Sequence, residues 1–321
     1  MPWHSALRST NSWKVDETMP SRRIQLLAVV ALTLAIPAAL GQEPAESPQQ
    51  LIKDVVYNEL VDHRHHSFFE YVDTKRTGQQ TIVKAEVETG EGRVHRILAE
   101  DGKPLTAEQQ EEESQRLEEL LHDSSQQQKL LRDYRGDEDR IARIVGLMPE
   151  GFLYQYDGVE GDYIRLKFFS NPEFKPPTYE ARVFLGTAGT IWINAREKRL
   201  SRLQGALVSN VNYGYGLLGR LDKGGTFNLE RFEATPGNWR TRVLEVHISG
   251  YVILLKSISK DQIEVRSDFR QVSADVTLQQ AEAMLNETTM PNRPGGVRLQ
   301  ATPLMGSENN QRKLPAAMSL K

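Results

Sequence analysis

Short segments that alternate apolar and polar side chains fill the chain from Phe152 to about Val272, and this pattern constrains the fold most strongly. Turn residues such as Asn171-Pro172 and Gly224-Gly225 separate the segments. Alternation with a period of two, interrupted by turns at this spacing, predicts one large antiparallel sheet. The segment Tyr251 to Leu255 is apolar on both faces, which favours a central strand. The apolar side chains of three other segments are Ile164, Leu166 and Phe168; Ile191 and Ile193; and Leu244, Val246 and Ile248.

The chain before this region predicts one helix and a meander of strands. Ser47-Pro48-Gln49-Gln50 has the residues that begin a helix: a serine cap, a proline in the first turn and a glutamine three residues after the cap. The apolar stripe that follows extends this helix over 47–63. Strand patterns at 68–75, 81–89 and 93–99, separated by turns that contain glycine, predict an antiparallel meander.

A polar, charge-rich stretch at 106–148 interrupts the strands and predicts a helical insertion. It opens with a second capping box at Thr106-Ala107-Glu108-Gln109. A further helical segment follows from about Ser124 to Met148, and we expect Gly136 to interrupt it. A last short helix is predicted over Thr277 to Leu285.

The N-terminal region predicts an export signal. From Met19 a pair of arginines precedes a short apolar core, and Ala39-Leu40-Gly41 supplies the small residues of a cleavage site. We therefore expect a signal peptide over 19–41, cleaved before Gln42. The alternative, a membrane anchor, is disfavoured because the apolar core is shorter than the roughly 20 residues that span a bilayer. Residues 1–18 are expected to be an upstream extension, with Met19 as the true start.

The elements after the cleavage site predict a single α+β domain over 42–287. The helical insertion at 106–148 belongs to this domain. The segment 288–321 is rich in proline, asparagine and glycine, and we expect it to be disordered.

Composition disfavours several functional classes. The net charge is −3, from 40 basic and 43 acidic residues, and the chain has no cysteine. Without a basic surplus, general binding of nucleic acid is disfavoured. The absence of cysteine excludes disulfides, thiol nucleophiles and zinc sites built on cysteine.

The stretch YGYGLLGRLDKGG at 213–225 places Gly214, Gly216 and Gly219 at the spacing of a dinucleotide-binding turn. That turn works between a strand and the helix it opens, where the helix N-terminus holds the phosphates. Here another strand pattern, 226–232, follows instead. We interpret the glycines as turn and bulge positions and predict no nucleotide site.

A histidine cluster ends the first predicted helix. His63, His65 and His66 lie beside Glu59 and Asp62, a set that could ligate zinc or copper. Cationic side chains at a helix C-terminus also complement the helix dipole without any metal, and we favour that interpretation.

The remaining charged clusters are interpreted as solvated surface. Asp137-Glu138-Asp139 lies in a charge-dense helical stretch, and Asn286 begins a glycosylation sequon. A basic cluster surrounds a predicted hairpin turn, where a solvated hairpin end is favoured over contact with anionic lipid or an acidic partner. Its members are Arg196, Lys198, Arg199 and Arg202. No metalloprotease or nucleophile-elbow motif occurs, so we do not predict an enzyme.

The order of elements resembles the LolA/LolB class of periplasmic lipoprotein carriers and related sigma-factor regulatory proteins such as RseB. The hairpin Gly189-Thr-Ile-Trp-Ile-Asn-Ala-Arg196 with Lys198-Arg-Leu-Ser-Arg-Leu-Gln-Gly205 is similar to one common in that class. Stretches such as Lys53-Asp-Val-Val-Tyr-Asn-Glu-Leu60 and Gly214-Tyr-Gly-Leu-Leu-Gly-Arg220 also resemble a group of exported bacterial proteins of this architecture. The resemblance implies a strongly curved antiparallel sheet, an incomplete β-barrel, with helices 47–63 and 106–148 packed on its concave face.

We therefore expect an exported periplasmic carrier, without catalytic activity, cofactor or metal, that binds a lipid or a lipoprotein acyl chain. The alternative is a structural or regulatory module of the envelope, with a closed core and a protein partner. Burial of apolar surface would drive ligand binding, at about 25 cal/mol per Å². The predicted apolar groove consists of Ile164, Leu166, Phe168, Ile191, Ile193, Leu244, Val246 and Ile248.

Overall fold

The computed structural model describes residues 46–64, 67–214, 218–252 and 255–288. The predicted extension at 1–18, the signal peptide at 19–41 and the tail beyond Thr288 lie outside the described residues.

Thirteen strands of the described chain form one sheet, and every pairing in it is antiparallel. The strands are β1 Phe69–Thr77, β2 Gln80–Thr89, β3 Gly92–Glu100, β4 Lys103–Pro104, β5 Phe152–Glu160, β6 Tyr163–Ser170, β7 Thr187–Asn194, β8 Arg199–Leu207, β9 Val211–Tyr213, β10 Gly219–Leu221, β11 Thr226–Thr235, β12 Asn238–Val252 and β13 Leu255–Gln271. Their order is β4-β3-β2-β1-β13-β12-β11-β8-β7-β6-β5, with β10 beside β12 and β9 beside β10. The sheet is open, since β4 and β5 form its two ends. The prediction of an α+β fold with one large antiparallel sheet is confirmed.

Four α-helices and one short 3-10 helix accompany the sheet in the described residues. They are α1 Pro48–Arg64, α2 Ala107–His122, α3 Ser124–Gly151, α4 Leu278–Glu287 and the 3-10 helix Glu180–Gly186. The predicted helix starts are confirmed. The Ser47 hydroxyl accepts a hydrogen bond from the Gln50 backbone N–H at 3.1 Å. Thr106 and Thr277 both form complete capping boxes with the glutamine three residues later.

Helix α3 runs without interruption through Gly136, so the predicted break at this glycine is wrong. Leu130, one and a half turns earlier, packs against the second hydrophobic core. Half a turn after the glycine, Glu138 pairs with Arg93 of β3 at 3.0 Å. These contacts on both sides of Gly136 outweigh the roughly 1 kcal/mol that an interior glycine costs a helix.

The apolar run Tyr251 to Leu255 is divided between two strands, so the prediction that it forms one central strand is wrong. Strand β12 ends at Val252 and β13 begins at Leu255, and these two residues face each other across the hairpin. Residues 253–254 lie outside the described residues.

Two hydrophobic cores lie on opposite faces of the sheet. In the first, α1 and the C-terminal half of α3 pack on β5 to β8 and β11. In the second, α2 and α4 pack on β2 and β3, where Ala85 and Val87 face the helices. Side chains alternate along β2, so Glu86 and Glu88 point to the other face. The expectation that the whole insertion lies on one side with α1 is therefore wrong for α2, which lies on the opposite face.

Candidate functional site

A cavity of about 440 Å³ lies between α1, α3 and the sheet. This volume is within the range of ligand-binding sites in proteins. One part of its wall is apolar, and another part carries charged side chains.

The apolar wall is built from the facing sides of α1 and α3 and from inward-facing strand residues. Residues three and four apart on a helix share a face, which is how Ile52, Val55 and Val56 of α1 line one side together. The remaining apolar lining residues are Leu60, Phe68, Ile141, Ala142, Val145, Met148, Ile191, Leu200, Leu229, Trp239 and Leu244. An apolar chain of a ligand would lose contact with water along this wall.

The eight predicted groove residues divide between core and cavity. Leu166, Phe168, Ile191 and Ile193 are at most 1% exposed and belong to the core under α1. Of these four, Ile191 also touches the cavity, as does the half-buried Leu244. The others, Ile164, Val246 and Ile248, are half-buried and do not line it.

The charged part of the wall is formed by residues of β2, β3, β12, β13 and α3. Three arginines line it, one each from β3, β12 and β13: Arg93, Arg240 and Arg266. The carboxylates beside them are Glu88 of β2 and Glu138 of α3. Burial raises the pKa of the Glu88 carboxyl above its ordinary value, although Arg240 and Arg93 oppose the shift. Sequence analysis did not assign any of these five residues to a site.

A second ionic network ties α1 to the sheet, and its members Glu59, Asp62 and Arg231 also line the cavity. The Glu59 carboxylate accepts hydrogen bonds from Arg199 at 3.0 and 3.1 Å and from the Leu200 backbone N–H at 2.9 Å. Arg199 also reaches Asp62, and Arg231 of β11 donates to Glu59. The guanidinium groups hold the pKa of Glu59 below its ordinary value, against the opposing effect of burial.

The basic cluster of the β7–β8 hairpin is therefore not simply a solvated hairpin end. Arg199 is 6% exposed and Lys198 pairs with both Glu46 and Asp54 at the start of α1. Only Arg196 is largely exposed, while Arg202 lies over the Trp192 ring and pairs with Glu230 on the other face. The prediction failed because α1 packs beside this hairpin and brings the carboxylates of Glu59 and Asp62 to Arg199.

Behind the charged wall, Asp73 of β1 is almost completely buried. Its carboxylate lies 3.4 Å from Lys84 and 3.8 Å from Arg266, and Oδ1 has no hydrogen-bond partner among the described residues. Burial, reinforced by the charge of Glu264, raises the pKa of Asp73 from 3.8 to about 6. A carboxyl with this pKa changes its charge within the range of mildly acidic and neutral solutions.

This raised pKa predicts a pH-dependent contribution to stability. The folded state holds the Asp73 proton more tightly than the unfolded state, so the contribution is complete below about pH 4 and is lost as the pH rises through about 6. We expect the free energy of unfolding to rise by about 1 kcal/mol between pH 7 and pH 5, relative to the variant Asp73→Asn. Urea denaturation of both proteins at the two pH values measures this difference. Equal pH dependence in the two proteins would show that Asp73 titrates at its ordinary pKa.

In its described residues, the glycine motif lies between two strands and not between a strand and a helix. Gly214 follows β9 and Gly219 begins β10, and these two strands are antiparallel neighbours. Gly214 has φ +55°, a conformation that suits glycine at a turn, which agrees with the turn interpretation. Gly216 lies outside the described residues.

The structure describes the other candidate sites only in part. The side chains of His63, His65 and His66 lie outside the described residues. Among the residues that the structure does describe, no three His, Asp or Glu side chains are placed to hold a metal ion. Asp137 and Asp139 are exposed, as predicted, but Glu138 is half-buried and faces the cavity. Asn286 is exposed near the end of α4.

None of the helices in the described part of the chain combines the length and the hydropathy of a membrane span. No protein-family model matches the chain, and no curated protein sequence matches it significantly.

Proposed function

We propose that this protein is an exported, non-catalytic binding protein that carries a ligand with an apolar chain, such as a lipid or a lipoprotein acyl group. The observation that carries the proposal is the cavity between α1, α3 and the sheet, whose apolar wall is formed by residues of both helices. Periplasmic location, a strongly curved sheet with α1 on its concave face, and membership of the LolA/LolB class belong to the same proposal.

The way in which α1 is held supports reversible access to this cavity. The inner face of the helix packs on the core through Leu51, Ile52 and Val55, all at most 4% exposed. The network of Glu59 with Arg199 and Arg231 adds polar contacts that water can replace when the helix moves. A helix held partly by ion pairs can separate from the sheet at a lower cost than one that is held by apolar packing alone.

The test is a variant that fills the cavity. Ala142 of α3 lines the cavity and is half-buried, so Ala142→Phe places a ring in the space that a ligand chain would occupy. We expect the wild-type protein, purified without detergent from a bacterial envelope, to carry an acyl compound in native mass spectrometry. The Ala142→Phe protein should carry at most about a tenth as much, because overpacking a filled site at a cost of about 1.4 kcal/mol or more lowers binding at least tenfold.

The matched control is Ala107→Phe, which adds the same ring at an exposed position in the first turn of α2. It should retain the wild-type load. Equal loads in all three proteins would place the compound elsewhere, and a wild-type protein without any bound compound, before and after incubation with lipid, would overturn the carrier proposal. The second result would favour the envelope module with a protein partner.

A further inference from the structure

Four arginines of the described residues line the cavity, and Arg231 is paired with Glu59. The other three, at the charged end, differ in how far they are already neutralised. Arg93 pairs with Glu138 at 3.0 Å and stacks over the Tyr134 ring. Arg240 is held mainly by uncharged acceptors, since it donates to the backbone carbonyls of Ser67 and Trp239. These bonds fix the guanidinium group in place without cancelling its charge.

The ion pair that Arg240 makes is long. Its Nε lies 4.0 Å from the Glu88 carboxylate, beyond hydrogen-bonding distance. Glu88 itself accepts a hydrogen bond from the Phe69 backbone N–H at 3.2 Å. The guanidinium group of Arg240 also lies over the Phe69 ring, 4.4 Å from its centre, and its side chain is 18% exposed. Arg240 therefore presents a positioned positive charge to the cavity.

Arg266 has unused hydrogen-bonding capacity at the same end. It pairs with Glu264 through Nη2, whereas Nε is buried and has no hydrogen-bond partner among the described residues. Asp73, the carboxylate near this Nε, is 3.8 Å away. A buried donor without an acceptor costs free energy, so the positive charge of Arg266 is only partly compensated by its neighbours.

The apolar wall and the arginine end belong to one continuous cavity. From this juxtaposition we propose that the cavity binds an amphipathic anion, with a carboxylate or phosphate head near Arg93, Arg240 and Arg266 and an alkyl chain along α1 and α3. This inference rests on the proposed function and specifies the ligand class. The head would make charge-assisted hydrogen bonds, which are about twice as strong as neutral ones. Guanidinium groups suit such heads because their planar fork matches a carboxylate or a phosphate.

The experiment compares two probes with the same chain and different heads, decanoate and decan-1-ol, by isothermal titration calorimetry of the full chain at pH 7.5. We expect decanoate to bind about tenfold more tightly, the ratio that one charge-assisted hydrogen bond supplies. Arg93→Gln and Arg240→Gln should each weaken decanoate binding about tenfold and leave decan-1-ol binding unchanged. Inorganic phosphate alone should bind far more weakly than decanoate.

The control variant is Arg202→Gln on the opposite face of the sheet, where the arginine is 38% exposed and pairs with Glu230. It removes the same charge and should change neither the affinity for decanoate nor the affinity for decan-1-ol. Urea denaturation of each variant checks that it is folded. If Arg240→Gln does not fold, the affinity of Arg93→Gln for decanoate alone tests the anionic head.

The outcomes separate this inference from the carrier proposal. Equal binding of acid and alcohol, unaffected by the arginine variants, would overturn the anionic head and leave the carrier intact. Phosphate binding as tight as that of decanoate would show a site for a free anion and overturn the amphipathic ligand. If neither chain-bearing probe binds the wild-type protein, both proposals fail.

Discussion

Glu59→Gln will lower the free energy of unfolding by about 3 to 5 kcal/mol, the usual result of removing one partner from a buried ion pair. The Glu59 side chain is 11% exposed and lies between the side chains of Arg199 and Arg231. These two side chains are 8% and 15% exposed. A glutamine keeps the shape but removes the charge, and its NH₂ group would face guanidinium donors. Two arginines would then remain in the interior with only Asp62 to balance them.

The matched control for this variant is Asp54→Asn, on the same helix. Asp54 pairs with Lys198, but both side chains are about a third exposed, at 34% and 35%. Exposed ion pairs contribute little, so Asp54→Asn should cost less than about 1 kcal/mol. Chemical denaturation at pH 7 measures both changes. Similar small losses for the two variants would mean that water reaches Glu59 and that the network does not hold α1.

Local features of the sequence predicted most elements of the fold. The capping box at Thr106 marks a helix start because its hydrogen bonds close within three residues. Strand alternation likewise predicted β6, β7 and their shared inner face, where Leu166 lies opposite Ile191. Both signals depend only on residues close together in the sequence, so they can be recognised before the fold is known.

The charged end of the cavity could not be predicted in this way. It depends on the pairing of β1 with β13, in which Asp73 lies opposite Arg266, almost two hundred residues further along the chain. No local pattern determines which distant strand becomes the neighbour. One signal was present in β3, where Arg93 and His95 alternate with the buried Val94. Charged residues on a strand that lies beneath helices on both faces indicate a polar interior, but only once the helices have been placed.

The position of Arg199 shows a similar limit. The sequence predicted the β7–β8 hairpin, and the turn lies where it was expected. It did not show that α1 crosses this hairpin, where the Asn58 side chain donates to the backbone carbonyls of Glu197 and Lys198. Without a helix beside them, basic residues at a hairpin end are expected to be exposed.

Leu166→Ala and Leu244→Ala will separate the two roles that the sequence assigned to one groove. Leu166 is 0% exposed in the core, so its truncation should lower the free energy of unfolding by about 3 to 5 kcal/mol. Leu244 is half-buried at the cavity wall, and its truncation should cost only about 1 to 2 kcal/mol because less apolar surface is lost. Urea denaturation measures both changes in the free energy of unfolding, and both variants make the same substitution of leucine by alanine.

Ligand binding should show the reverse order. Leu244→Ala removes part of the surface that a ligand chain covers, and we expect it to weaken decan-1-ol binding about fivefold, as the loss of about 1 kcal/mol of apolar contact implies. Leu166→Ala, studied under conditions where it remains folded, should leave the affinity within about twofold, because Leu166 does not touch the cavity. A larger loss of affinity in Leu166→Ala than in Leu244→Ala would contradict the placement of the ligand chain beside Leu244. The apolar strand residues would then act on the ligand only through the stability of the core beneath α1.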